Sequence, residues 1–277
     1  MDFEFFSKNG EIRPIQEAVI PLSNIEYSYG FGVYENIRAQ EGIPYFLKDH
    51  VERLQISARI IGLDHRFDAA LVETSVTDLI RKSGSGTYNL KVLLIGAKDA
   101  AHAALYVLAL NPHFPDKKLY RDGARFLTYE YERPFPHAKT LNMLESYLAY
   151  KKAREADCYD TLLINSKGCI TEGTRTNFFC MRDRTLFTPP ESEILLGVTR
   201  KAVVRVASEN GFSIKEGEIS FSYLSQCDGA LVTSTSSKIL PVRQIDSLSL
   251  PPMPAALQEL TKAFDAFLSD CRGILTS

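Results

Sequence analysis

Two periodicities take turns along the chain. At its start, Phe3-Glu-Phe-Phe-Ser-Lys-Asn9-Gly10-Glu-Ile-Arg places an Asn-Gly pair between two strand-like runs, the strongest short-range signal for a hairpin. From Gly32 to Gln40 the side chains alternate, so Tyr34, Asn36 and Arg38 share one face of a strand and Val33, Glu35 and Ile37 the other. Glu41-Gly42 turns the chain into a partner strand, Ile43–Leu47. The spacing then becomes helical. Val51, Leu54, Ala58 and Ile61 recur on one face as far as Gly62, and Val72, Val76, Leu79 and Ile80 mark a second helix. Strands near Tyr88–Ile95 and Ala103–Leu110 complete an α+β unit.

The stretch Asn111-Pro-His-Phe-Pro-Asp-Lys-Lys118 carries two prolines and a charge cluster, which predicts a connection between domains at 1–113 and 114–277. Beyond it come an alternating strand (Ala124–Tyr131), a Pro-bracketed turn (Arg133–Pro136) and a helix from about Asn142 to Ala156. Short strands follow at Thr161–Asn165, Cys169–Thr171, Thr176–Met181 and Thr185–Thr188. A helix is expected over Thr199–Asn210, then strands near Ser213–Glu218, Gly229–Ser234 and Lys238–Ile245, and a last helix, Ala255–Leu268.

Composition narrows the class. With 277 residues, 45% apolar and 24% charged, the chain can bury a substantial core and is neither disordered nor fibrous. The 32 basic and 34 acidic residues give a net charge of −2 without a basic stripe, which argues against a nucleic-acid partner. The longest apolar run, Ala103–Leu110, is far short of the ~20 residues that cross a bilayer. No membrane span is expected. The acidic start, Met-Asp-Phe-Glu, lacks the marks of a secretory signal, so the cytoplasm is the expected compartment. Cys158, Cys169, Cys180, Cys227 and Cys271 are widely spaced without ligand-like neighbours, predicting reduced thiols and no metal site.

Three polar clusters lie at the ends of regular elements, where binding sites concentrate. Gly197-Val198-Thr199-Arg-Lys opens a helix, whose free N–H groups and dipole favour a phosphate, although a plain Thr-capped start explains it equally. Thr233-Ser234-Thr235-Ser236-Ser237 follows a strand and offers hydroxyl donors, or is simply a solvated turn. Ala138-Lys139-Thr-Leu-Asn142 sits between the Pro-rich turn and a helix; taken alone, its lysine reads as a surface residue.

The combination and order of these motifs resemble the fold-type IV pyridoxal-phosphate enzymes, the family of branched-chain aminotransferases, D-amino acid aminotransferases and aminodeoxychorismate lyase. The motifs are Tyr29-Gly-Phe-Gly-Val-Tyr-Glu35, Asp49-His-Val-Glu-Arg-Leu54, Ala138-Lys-Thr-Leu-Asn-Met-Leu144, Ile170-Thr-Glu-Gly-Thr-Arg-Thr-Asn-Phe178, Leu196-Gly-Val-Thr-Arg200 and Thr233-Ser-Thr-Ser-Ser-Lys-Ile-Leu-Pro-Val242. The resemblance implies a small N-terminal α/β domain and a larger C-terminal domain with a β-barrel-like core, with pyridoxal 5′-phosphate held between them, and a homodimer acting on small amino acids and 2-oxo acids.

It further implies that Lys139 binds the cofactor as a Schiff base and moves the substrate proton. Glu172 would face the pyridine nitrogen and keep it protonated. Arg53 would hold the phosphate through its fork of donors, together with Val198, Thr199, Ser234 and Thr235. His50 is expected to be structural. For the substrate, the resemblance points to Tyr34, Asn36, Arg38, Tyr88 and Ser236. Here the pattern departs from its relatives: Asn36 replaces a glycine, Tyr88-Asn-Leu90 lacks the arginine of a Tyr-x-Arg strand, and Ile95-Gly96 stands for Arg-Gly. Arg38 is therefore the first candidate to contact a substrate carboxylate and Lys91 the second. The expected activity is transamination, with lyase-type elimination or (R)-amine transamination on the same scaffold as alternatives.

Overall fold

Asn9 (φ +55°) and Gly10 (φ +91°) form the two-residue loop of the first hairpin, a left-handed pair that glycine and asparagine tolerate best. The computed structural model describes residues 3–251 and 253–276, with side-chain environments through residue 271. The hairpin strands are β1 (Phe5–Lys8) and β2 (Glu11–Pro14). They join β3 (Gly32–Gln40), β4 (Ile43–Pro44), β5 (Thr87–Ile95) and β6 (Ala104–Leu110) in an antiparallel sheet of order β2-β1-β6-β5-β3-β4. The strand after Glu41-Gly42 stops at Pro44 instead of Leu47, because Phe46 takes φ +55° and turns the chain into the helix Leu47–Ile60. That helix and Ala69–Ser83 pack Val51, Leu54, Val72, Val76 and Leu79 onto the face bearing Val33, Ile37, Leu90 and Leu94. Asp68 caps the second helix by accepting the Leu71 N–H at 2.8 Å.

The chain divides into two compact units, the first reaching His113 and including His137–Met143, the second Phe114–Pro136 and the chain from Leu144 onward. The division expected at 113/114 therefore needs a correction for residues 137–143. Backbone pairing explains it: Thr140 bridges Val33, Tyr34 N–H donates to the Lys139 carbonyl at 2.9 Å, and Leu141 N–H donates to Gly32 at 2.8 Å. The segment is in effect an extra strand on β3.

In the second unit, β7 (Ala124–Glu130), β8 (Asp160–Ile164), β9 (Ile170–Gly173), β10 (Asn177–Arg182), β13 (Gly229–Ser234) and β14 (Lys238–Ile245) form a closed ring. The ring runs β10-β13-β14-β7-β8-β9 and returns to β10 through the pair Asn177–Glu172, while β11 (Thr185–Thr188) and β12 (Ser213–Glu216) extend outward from β10. Phe126, Leu162, Phe178, Val232 and Leu240 fill its core. The helix Val198–Glu209 packs on β13. A short helix, Lys117–Asp122, occupies part of the stretch that the sequence marks as connection; Asp116 caps it and Gly123 (φ +78°) ends it.

Phe178 is fully buried in the ring core. Phe178→Ala should cost about 3–5 kcal/mol of stability, the usual penalty for an aromatic-sized core cavity. Urea unfolding monitored on the full chain would show it, and a loss below about 1 kcal/mol would mean that the ring core repacks around the gap.

Candidate functional site

The first unit fixes Lys139 from two sides. Its carbonyl is bonded to β3, and its own N–H donates to Ser57 Oγ at 3.0 Å, a fully buried hydroxyl on the helix Leu47–Ile60. The Lys139 ammonium lies 4.7 Å from the centroid of the Tyr34 ring, a cation–π contact. Register places Tyr34 opposite Leu93, Asn36 opposite Lys91 and Arg38 opposite Asn89, so these six share a face. Lys91 also approaches the Tyr34 ring, with Nζ 5.8 Å from its centroid.

Tyr88 does not belong to that face, which corrects its expected place among the substrate residues. It pairs with Ala39, one step out of phase with Arg38; its ring is buried in the helix-side core, and its hydroxyl donates to the Gly84 carbonyl at 3.2 Å. Leu90 lies on the same buried side.

Glu35 shows what the alternation of β3 conceals. It sits on the apolar face with Val33 and Ile37, only 1% exposed, and there a carboxylate must find partners. Arg53 supplies two donors, Nε to Oε1 at 2.7 Å and Nη2 to Oε2 at 2.6 Å, and His50 Nδ1 donates to Oε2 at 2.7 Å. Burial pushes the Glu35 carboxyl up, but Arg53 and His50 overcome it and hold it at about 2. Burial likewise lowers His50 and favours its neutral form, against the pull of Glu35. The Arg53 guanidinium is thus braced by Glu35. The sequence signal for Glu35 was available: a lone acid on an otherwise apolar strand face.

The second unit builds its cluster at one end of the ring. Glu172, 3% exposed, accepts Arg133 Nε and Nη2 on Oε1 at 2.8 and 2.6 Å and the Leu195 N–H on Oε2 at 3.2 Å. Asn177 donates to the Leu195 carbonyl at 2.7 Å and makes a long contact of 3.5 Å to Glu172. Arg133, read from sequence only as part of a turn, is therefore a principal partner of Glu172. Gly197 precedes the helix Val198–Glu209, where a Cβ would fall 1.9 Å from Asn177 Oδ1. No side chain caps this helix, so the N–H groups at Val198 and Thr199 and the positive end of its dipole suit an anion. Ser234, Thr235 and Ser236 are half-buried in the turn after β13; Ser234 Oγ lies 2.7 Å from Ser237 Oγ and accepts the Ser237 N–H at 3.0 Å.

Behind this cluster lies a third buried acid. Asp160 Oδ1 accepts Thr174 Oγ1 at 2.6 Å and the Thr161 N–H at 2.9 Å, whereas Oδ2 has only Arg175 Nε, at 3.9 Å. Burial pushes Asp160 up to about 6 despite Arg175 and the two hydrogen bonds. The Arg175 guanidinium stacks 4.1 Å from the Tyr150 ring centroid and 5.7 Å from that of Tyr159.

Known proteins resemble the chain over most of its length. The family model for amino-transferase class IV matches residues 32–245. A D-alanine aminotransferase of Bacillus licheniformis is 28% identical over 278 residues, covering 95% of this chain and 96% of its own. A putative branched-chain-amino-acid aminotransferase of Methanocaldococcus jannaschii is 29% identical over 252 residues, 86% of each chain. Among solved structures, the T.th. branched-chain amino acid aminotransferase with pyridoxamine 5′-phosphate superposes with a TM-score of 0.87 at 27% identity, over 96% of this chain and 94% of that one.

Two outcomes test the electrostatics. Glu35 has a depressed folded-state pKa, so its contribution is fully present above its unfolded value of about 4.3 and is lost as pH falls through about 2. Arg53→Ala would leave the buried carboxylate short of its main partner and should destabilise the protein by about 3–5 kcal/mol at pH 7. A cost within about 0.5 kcal/mol would show that water replaces the arginine. Asp160 runs the other way: its raised pKa means that stability is fully present below about 3.9 and is lost as pH rises through about 6. Asp160→Asn should remove that loss, visible as a flatter profile of melting temperature between pH 4 and pH 8, and an unchanged profile would contradict it.

Proposed function

Because the chain belongs to the class IV aminotransferases, a family that uses pyridoxal 5′-phosphate, we propose that it moves an amino group between an amino acid, branched-chain-like or D-configured, and a 2-oxo acid. The observation that carries this reading is the double anchoring of Lys139, to β3 by backbone bonds and to Ser57 by its N–H, with its amine against the Tyr34 ring. A lysine fixed in this way is a poor description of a solvated surface residue and a good one of a reacting amine.

The residues present suit the cofactor. An uncapped helix start at Val198-Thr199 and the hydroxyls of Ser234 and Thr235 supply donors for a phosphate, and Gly197 leaves room for the chain to pass Asn177. Arg53 adds a guanidinium whose orientation Glu35 sets. Glu172 offers a buried carboxylate, held by Arg133 and Leu195 N–H, of the kind that keeps a pyridine nitrogen protonated. When bound, the cofactor supplies the electron sink that makes a substrate Cα–H acidic. The chain supplies the rest. Lys139 takes and returns the proton at that carbon, Arg133 fixes the direction of the Glu172 carboxylate, and Tyr34, Asn36, Arg38 and Ser236 contact substrate. Arg38 and Lys91, on one face of β3 and β5, favour substrates that bear a carboxylate.

Lys139→Ala should abolish turnover, and borohydride reduction followed by peptide mapping should place the pyridoxyl group on Lys139; a label on another lysine would overturn the assignment. Glu172→Gln should keep cofactor bound yet slow single-turnover transamination at least about tenfold, since one pKa unit is about 1.4 kcal/mol and losing a buried counter-charge commonly moves more than one. Rates within a factor of about two would remove Glu172 from this role. Release of a 2-oxo acid from L- and D-amino acids with pyruvate or 2-oxoglutarate as acceptor separates transamination from elimination.

A further inference from the structure

Strand β14 opens on a residue whose side chain does not suit its backbone. Ser234 pairs with Lys238 across the end of the β13–β14 hairpin, so the loop is Thr235-Ser236-Ser237, and Lys238 closes it at φ +56°. Three-residue hairpin loops commonly place a left-handed residue there, a role that glycine fills without steric cost. Lysine has neither glycine's freedom nor the short polar side chain with which asparagine and aspartate bond locally, and the left-handed region is disfavoured for it about five- to thirtyfold. Such a conformation persists only where its surroundings hold it.

Two contacts reach this position. Lys238 Nζ donates to Asp265 Oδ1, on the helix Ala255–Thr276, at 2.6 Å, but the two side chains are 32% and 52% exposed, and an ion pair in water holds little. The stronger hold is Tyr120, whose hydroxyl donates to the carbonyl of the fully buried Ser237 at 3.1 Å. That carbonyl belongs to the peptide unit joining Ser237 to Lys238, and the tilt of this unit is what φ of Lys238 measures. Tyr120 itself has a firm base. With Leu119 it packs on the ring core, and Asp116 caps its helix by accepting the Lys118 N–H at 2.8 Å. The helix leaves through Gly123, where a Cβ would fall 2.7 Å from Arg243 Cβ on β14. The same tilt reaches the hydroxyls: the Ser237 N–H donates to Ser234 Oγ at 3.0 Å, and the two hydroxyl oxygens lie 2.7 Å apart. Relaxing Lys238 to negative φ would turn Ser237 and release Ser234 Oγ.

We propose that Tyr120 is a positioning residue for the cofactor phosphate: its bond to the Ser237 carbonyl keeps Lys238 in the left-handed region and thereby keeps the hydroxyls of the turn where a phosphate meets them. The inference rests on the reading of Ser234 and Thr235 as phosphate contacts. It adds a residue from the segment between the two sheets, outside every motif that the sequence singles out, and it gives the unfavourable backbone of Lys238 a purpose.

The test uses the full-length protein stripped of cofactor and titrated with pyridoxal 5′-phosphate and with pyridoxal, which lacks the phosphate. Tyr120→Phe keeps the packed ring and removes the donor. Affinity for the phosphorylated form should fall about three- to tenfold, the range for one neutral hydrogen bond, with affinity for pyridoxal unchanged. Lys238→Gly, introduced into the Tyr120→Phe protein, should recover most of that loss, because glycine adopts positive φ unaided. Lys238→Val, with Tyr120 intact, should reproduce the selective loss, since a β-branched residue resists positive φ more than lysine does. Equal losses for both ligands in Tyr120→Phe would reduce the tyrosine to a structural support and overturn the proposal. An unchanged affinity for the phosphorylated form, or a selective loss that Lys238→Gly does not recover, would overturn it as well. Ser234→Ala separates the two levels. If it spares the ratio of the two affinities, the phosphate reading of the turn fails; if it lowers the ratio and Tyr120→Phe does not, the role of Tyr120 alone fails.

Discussion

The pair Asn177–Glu172 closes the ring of the second unit, and much of that unit's chemistry follows from the closure. A sheet that ends in open edges exposes unpaired backbone groups, and joining β9 to β10 removes two of them. The same closure takes Glu172 out of water, and a carboxylate buried at 3% exposure must be bonded or be expensive. Arg133 and the Leu195 N–H meet that demand, and Asn177, by holding the Leu195 carbonyl, keeps the donor in place. Leu195 also lies just before Gly197, so the bonds that orient the acid help fix where the helix Val198–Glu209 begins. One closure therefore sets the direction of a carboxylate and the position of an uncapped helix start.

The first unit solves an analogous problem on an open sheet. β3 carries polar side chains on one face and a helix-covered core on the other, and Glu35 falls on the core side. Its charge is compensated by Arg53 and His50, both on the helix Leu47–Ile60, so the ion pair ties that helix to the strand that also carries Tyr34 and the partner of the Lys139 segment. Orientation of the arginine and anchoring of the lysine thus depend on the same strand and the same helix. Ser57, one helical turn beyond Arg53, completes the link by accepting the Lys139 N–H.

Much of this was legible in the chain because local patterns coincide with tertiary roles. The Asn9-Gly10 turn, the alternation of Gly32–Gln40, and the motifs around Lys139, Glu172 and Gly197 are all short-range signals. What eluded sequence reading involves partners that lie far apart or depend on register. Tyr88 was placed on the substrate side from a motif, but phase decides: a shift of one residue sends Tyr88 and Leu90 into the core and brings Asn89 and Lys91 out beside Arg38 and Asn36. The pairing of residues 137–143 with β3 joins positions a hundred residues apart, which no periodicity announces. Arg133 and Arg175 look like turn residues until the ring places each beside its acid.

Comparing two of the buried acids shows which physical effect decides their state. Glu35 and Asp160 are both almost wholly removed from solvent, and burial raises the pKa of each. Glu35 has a guanidinium on both oxygens within 2.7 Å and an imidazole donor as well, and is held at about 2. Asp160 has its guanidinium at 3.9 Å and only neutral donors closer, and rises to about 6. Charge-assisted bonds at short range overcome desolvation, and a more distant arginine with neutral donors does not. The two acids consequently serve different ends. Glu35 stays ionised throughout the neutral range and keeps Arg53 oriented, whereas Asp160 changes charge near neutrality beside the arginine that packs on Tyr159. The lysine-bearing unit therefore has a fixed ionic frame, and the acid that can respond to pH lies in the unit that carries the hydroxyl turn.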